Sequence, residues 1–113
     1  MAKLKRNKIE LVKNPEEVLK GAEPEIETFW TPPFIPWRKM REAMELQKEF
    51  EENEMDELDI TDKMADFVAN DIYGGRFTKD DLYDRMHCPD GNEAVKSQIS
   101  FLANGEAAGT SKN

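Results

Sequence analysis

A chain of 113 residues with 38% hydrophobic content has room for one small domain and little surplus for a second core. Its 24 acids against 16 bases give a formal net charge of -8, which argues against a phosphate-binding surface built from clustered Lys and Arg. The single Cys88 excludes an intramolecular disulfide and suits a reducing compartment, and no apolar run approaches the roughly 20 residues that span a bilayer. The opening MAKLKRNK runs into IELV and then charge, without the apolar core of a secretory signal, so a soluble intracellular protein is expected.

Lys3, Lys5, Arg6, Lys8 and Lys13 against Glu10 make a small basic arm on an acidic body, read as an exposed edge whose charges discourage aggregation. Leu4, Ile9 and Leu11 alternate with Arg6 and Lys8 in the manner of a short strand, and NPEEVLKGAEPE reads as a turn, with a helical turn inside it, followed by a break. ETFWTPPFIPW is predicted to be extended, because β-branched and aromatic residues favour strands and the residue before each proline is pushed away from helix. Proline confines such a strand to an edge. Pro36 suits the first position of a helix. From there Trp37, Met40, Met44 and Gln47, flanked by Ala43, Leu46 and Phe50, predict an amphipathic helix over 36–52 with a wide apolar face.

Eight acids and no base lie between Glu49 and Asp62, a solvated connector by its charge. Glu52, Glu54, Asp56 and Asp59 resemble calcium ligands only loosely, since the sixth position of a loop starting at Glu52 is Glu57, where the sharp turn wants Gly. A second helix starts near Asp59 or Thr61, carries Ile60, Met64, Phe67, Val68 and Ile72 in one stripe, and stops at Gly74 and Gly75. Thr78 and Asp81 form a variant capping box for a short third helix that presents Leu82 and Met86. HCPDGNE reads as a turn, and NEAVKSQISFLAN as a fourth helix with Val95, Ile99, Leu102 and Ala103 on one face. GEAAGTSKN has no large apolar residue and reads as disordered. The fold class is therefore mainly α (α+β): one domain over 1–104, with a strand and extended arm over 1–35 and a helical body of about four helices over 36–104, then a flexible tail over 105–113.

No constellation supports catalysis. His87 and Cys88 are sequence neighbours, which does not place a base against a thiol, and zinc would need further ligands. The carboxylates are too numerous to single out a pair for acid–base work. YGGRF lacks the Lys-Ser or Lys-Thr of a phosphate loop. No catalytic, cofactor or metal residue is assigned, and no cofactor is expected.

The unusual resource is apolar surface. Six methionines fit an ordinary core, which is the reading favoured for Met40, Met44, Met64 and Met86, or a surface that adapts to varied partners. TFWTPPFIPWRKM packs aromatics and prolines into a stiff segment that offers large contact area at low entropic cost, as an interface or as a lid on the core.

The Lys-rich start into KIEL, TPPFIPWRKMREAMEL feeding a helix, the acidic break, and DFVANDIYGGRFTKDDLYDRM, with Phe67, Val68, Tyr73 and Gly75 leading into FTKDDLYD, together resemble the tail assembly chaperones of long-tailed bacteriophages infecting Gram-positive bacteria. The resemblance covers about residues 3–104. It implies a non-catalytic protein that binds the tape measure protein and keeps it soluble before the tail tube polymerises. It also implies self-association, residence in the host cytoplasm and absence from the mature virion, while the acidic balance and the lack of a spanning apolar run speak against a nucleic-acid or membrane partner. The family further implies a longer product of programmed -1 frameshifting that recruits tail tube protein, and Ser111, Lys112 and Asn113 permit a slippery heptamer. Phe29, Trp30, Phe34 and Trp37 are the candidate partner-binding residues. Two alternatives stay open: a structural tail or connector protein of the virion, and an acidic regulatory protein that mimics nucleic acid.

Overall fold

Ile9 and Leu11 alternate with Lys8 and Glu10, and in the computed structural model, which describes residues 4–105, the two apolar side chains turn into the core while the charged pair faces solvent. Lys3 of the basic arm and residues 106–113 of the expected tail, Ser111 to Asn113 among them, lie outside the described residues. Strand β1 (Lys8–Val12) pairs antiparallel with β2 (Ile26–Trp30), Ile9 opposite Phe29 and Val12 opposite Ile26. The connection holds one short helix, α1 (Pro15–Leu19), with Pro15 in its first turn. Asn14 closes that connection, accepting from Glu25 N–H at 2.8 Å and donating to Glu23 O at 3.1 Å.

Four further helices follow: α2 (Arg38–Glu52), α3 (Glu57–Asp66), α4 (Lys79–Arg85) and α5 (Cys88–Asn104). The first of them begins two residues later than Pro36, which instead sits in the turn leading in, where its carbonyl accepts from Lys39 N–H at 2.9 Å. The cap of α3 is Asp56 rather than Asp59 or Thr61: its carboxylate accepts from Asp59 N–H at 2.9 Å, and Glu57 and Asp59 lie in the first turn, where the helix dipole favours them. Part of the acidic stretch thus has structural work, and Glu49 also pairs with Lys63 at 3.2 Å. Among the described residues no cluster of three or more His, Cys, Asp or Glu side chains could hold a metal ion.

Beyond α3 the chain widens into a π-helix, Phe67–Ile72. The wider turn buries Phe67, Val68, Ala69 and Ile72 together, and Tyr73 just beyond them. Gly74 and Gly75 then take left-handed φ values of 66° and 80°, and Gly75 N–H returns to Ala69 O at 2.8 Å, the wrapped ending that glycine permits. The capping box of α4 is formed as expected, Asp81 N–H to Thr78 Oγ1 at 3.0 Å and Thr78 N–H to the Asp81 carboxylate at 2.9 Å.

HCPDGNE is not a turn. Helix α5 starts at Cys88 and takes in Pro89, Asp90 and Gly91, because proline and an acid in a first turn are helix-start chemistry as much as turn chemistry. Its most buried side chains are Gln98 and Phe101, with Val95, Ile99 and Leu102 half-buried and Ala103 exposed.

The core lies between the ribbon and the helices. Ile9, Leu11 and Phe29 pack over Phe67, Val68, Ile72, Tyr73, Phe77 and Leu82. Phe77 stands edge-on to Phe29 at 4.9 Å and tilted to Tyr73 at 5.1 Å between ring centroids. Threaded through this core is a polar chain of buried groups. Gln98 Oε1 accepts from Tyr73 Oη–H at 2.5 Å and from Asn7 Nδ2 at 3.2 Å, and Gln98 Nε2 donates to Lys8 O at 2.8 Å. On the other flank Arg85 donates to Val12 O at 2.9 Å and to the Glu27 carboxylate at 2.5 Å. Among the described residues no buried side-chain nitrogen or oxygen lacks a partner.

Candidate functional site

Thr31, fully buried, anchors the segment that follows β2. Its hydroxyl oxygen accepts from Asn7 N–H at 3.0 Å, and its carbonyl accepts from the Arg6 guanidinium at 2.9 and 2.6 Å. Pro32, Pro33 and Pro36 then hold the chain stiff, since each fixes its own φ and keeps the preceding residue extended. Phe34 projects to solvent at 65% exposure, while Ile35 is half-buried.

Helix α2 continues this surface. Ala43, Leu46 and Phe50 turn toward the body, and Trp37, just before the helix, and Met44 turn away from it at 82% and 60% exposure. The wide apolar face predicted for this helix is therefore two faces, one packed and one open. Lys39 secures the helix, pairing with Glu42 at 3.1 Å and reaching Asp71 of the π-helix at 4.0 Å. Partial burial pushes the Asp71 carboxyl above its usual range, an effect that Lys39 opposes.

The open face borders a groove of about 510 Å³ between the proline segment and the end of α5, lined by Leu4, Phe34, Ile35, Trp37, Met40 and Leu102. Trp37 and Met40 also line a second hollow of about 800 Å³ that runs along α2 past Met44. The two form one continuous apolar track. Its rim carries more cations than acids: Lys5 at one end, whose ammonium would lie 3.1 Å from a Cβ added at Gly105, then Arg38, Arg41 and Lys48 along the helix with Glu45 among them. Arg41 pairs with Glu45 at 3.6 Å and Lys48 with Glu52 at 3.9 Å, both exposed pairs of small energetic weight. A chain of net charge -8 thus gathers positive charge around its most exposed tryptophan.

The four aromatic residues singled out from the sequence fall in three places. Phe29 is in the core against Phe77. Trp30, its neighbour, lies on the outer face of the ribbon at 45% exposure, with Arg6 and Lys8 over its ring at 5.9 and 5.8 Å. Phe34 and Trp37 come together in the groove. Strand alternation separates Phe29 from Trp30 and was the available signal for it. Leu4, Met40, Met44 and Leu102 complete the track and are not among those four aromatic candidates; Met44, read as core, is on the surface. A helix whose apolar face is wider than one neighbour can cover was the signal for Met44.

The track offers contact without chemistry: apolar width, adaptable methionine and a charged margin. Neither a curated protein nor a solved structure matches the chain. A family model described as phage tail chaperone protein matches residues 3–113, nearly the whole sequence, and the chain belongs to that family.

Proposed function

We propose that this tail chaperone holds the tape measure protein in the α2 groove and keeps it soluble until the tail tube polymerises around it. The observation that supports this is the track of exposed Leu4, Phe34, Trp37 and Met44, joined through half-buried Met40, on a chain that is 35% charged. Soluble proteins rarely leave so much contiguous apolar surface without a partner for it. A long amphipathic helix has a complementary need, because its apolar stripe aggregates unless covered, and a groove of this kind covers helices through anchors at steps of three and four residues. Methionine side chains repack around differing client residues, so one groove can serve many stretches of a repetitive helix. Arg38, Arg41 and Lys48 would meet acids flanking the client's stripe.

Many copies along one client would be kept apart from other arrays by the acidic remainder of the surface. In this reading the protein acts without catalysis in the host cytoplasm and is released before the virion is complete. A longer frameshifted product recruits the tail tube protein.

The test is coexpression of the tape measure protein with wild-type chaperone or with the Trp37→Ala and Met44→Ala double variant. The soluble fraction of client should fall several-fold with the variant, since buried tryptophan anchors dominate such interfaces. The variant's helicity and melting temperature should match wild type, because both side chains are exposed. Client solubility that is indifferent to these substitutions would overturn the reading.

A further inference from the structure

Antiparallel pairing gives the two edges of the β1–β2 ribbon different fates. Thr31 N–H donates to Asn7 O at 2.9 Å and Lys13 N–H to Glu25 O at 2.6 Å, and the register between them sets Ile9 against Phe29 and Leu11 against Glu27. Bonded and non-bonded pairs alternate, so odd-numbered residues point their peptide groups into the ribbon and even-numbered ones point theirs outward. On β1 two of the three outward carbonyls are engaged, Lys8 O by Gln98 and Val12 O by Arg85. On β2 the outward groups belong to Ile26, Thr28 and Trp30, and among the described residues no hydrogen bond from outside the ribbon reaches them.

This open edge is complementary to itself. Pro24 and Pro32 occupy the next outward positions on either side, and without N–H groups they end the usable edge at both ends. Thr28 lies midway between them. A two-fold axis through Thr28 therefore sets Ile26 opposite Trp30 of a second copy, Thr28 opposite Thr28, and each proline opposite the other, with no amide left over. Ile26, Thr28 and Trp30 share the solvent face, and aliphatic–aromatic and Thr–Thr neighbours are stabilising cross-strand pairs. Glu27, the one charged residue of the strand, is bonded to Arg85 and brings no bare carboxylate to the seam.

We propose that two copies of the chain join edge to edge through β2, antiparallel and centred on Thr28, so that their ribbons become one continuous sheet. About six ladder hydrogen bonds would close the seam. The contact is smaller than the roughly 1,200 Å² typical of stable complexes, which makes the dimer reversible and concentration-dependent. The edge shares no residue with the α2 groove and stands whether or not the groove binds the client.

The experiment is sedimentation equilibrium of the purified full chain over a concentration series, wild type against Thr28→Pro. The Thr28 N–H points away from β1, so proline removes a donor at the centre of the seam without breaking the ribbon's own ladder. Wild type should dimerise, and Thr28→Pro should weaken association by roughly tenfold or more with unchanged circular dichroism. If Thr28→Pro fails to fold, Thr28→Cys in a Cys88→Ser chain carries the test. Its thiols meet at the axis and should cross-link under mild oxidant, whereas Glu10→Cys, exposed on β1, should not. A wild-type chain that stays monomeric with no Thr28→Cys cross-link overturns the proposal, as does a dimer indifferent to Thr28→Pro. Amide protection of Ile26, Thr28 and Trp30 that arises only when client is added would overturn it in favour of a client strand.

Discussion

Tyr73 donates its phenolic hydrogen to Gln98 Oε1 across 2.5 Å of protein interior, and through Gln98 the end of the π-helix is tied to Asn7 and to the Lys8 carbonyl of β1. A side chain that serves three partners without access to water is expensive to lose. Gln98→Leu fills a similar volume but takes an acceptor from the Tyr73 hydroxyl and the Asn7 amide and a donor from the Lys8 carbonyl. It should cost about 3 kcal/mol in urea unfolding, whereas Tyr73→Phe, which leaves the other two bonds in place, should cost about 1 kcal/mol. Equal losses for the two variants would show that the three bonds are not shared through Gln98.

The same burial governs alkaline stability. Both tyrosines of the chain ionise late: burial pushes Tyr73 well above the ordinary value of 10.0, and burial together with the hydrogen bond to Asp62 pushes Tyr83 up to about 12. Raised folded values mean that these groups contribute stability that is fully present below pH 10 and is lost as pH rises above it, because the unfolded chain releases its phenolic protons first. Tyrosinate absorbance should therefore stay low through pH 10 and rise together with loss of helical circular dichroism, while the urea-unfolded chain titrates near 10. A native-state titration near 10 would contradict the burial of Tyr73 and the hydrogen bond from Tyr83 to Asp62.

Glu54 sits after α2 with φ of 50°, a left-handed conformation that costs a side chain with a Cβ. Glycine adopts it freely and is the usual residue just past a helix end. Glu54→Gly should raise stability by about 0.5–1 kcal/mol, read as a higher melting temperature, and Glu54→Val should lower it.

Arg85 holds the outer edge of β1 by a fork, one nitrogen to Val12 O and another to Glu27. Lysine keeps the charge and loses the fork. Arg85→Lys should cost about 1–2 kcal/mol and should loosen Val12 and its neighbours in hydrogen exchange before the rest of the sheet.

What could be read from the sequence was the local chemistry. Thr78 and Asp81 announce a helix start because both partners of the capping box lie within one turn, and Gly74 and Gly75 announce an ending for the same reason. The start of α5 was misread because Pro89, Asp90 and Gly91 suit a first turn and a loop alike, and only packing decides between them. Gln98 gave no warning: a lone polar residue on an apolar face looks like a surface position until Tyr73 and Asn7 arrive from distant parts of the chain. The groove was half visible. Phe34 and Trp37 stood out as aromatics in a proline-stiffened segment, but Leu4 and Leu102 join them only through tertiary folding, and the split of α2 into a packed and an open face depends on how narrow its contact with α5 is.

Asn7 and Gln98 are separated by 91 positions in the chain, and their contact imposes an order on synthesis. The N-terminal ribbon leaves the ribosome first, yet its inner face and the outward carbonyls of Lys8 and Val12 wait for α4 and α5. A nascent chain that has not yet exposed residue 98 holds a half-covered hairpin, and the long loop to be closed makes docking a late event. The groove, which needs Leu102 against Leu4 and Trp37, matures at the same moment. The groove is thus incomplete until residue 102 has left the ribosome, and chains truncated before it would lack this wall.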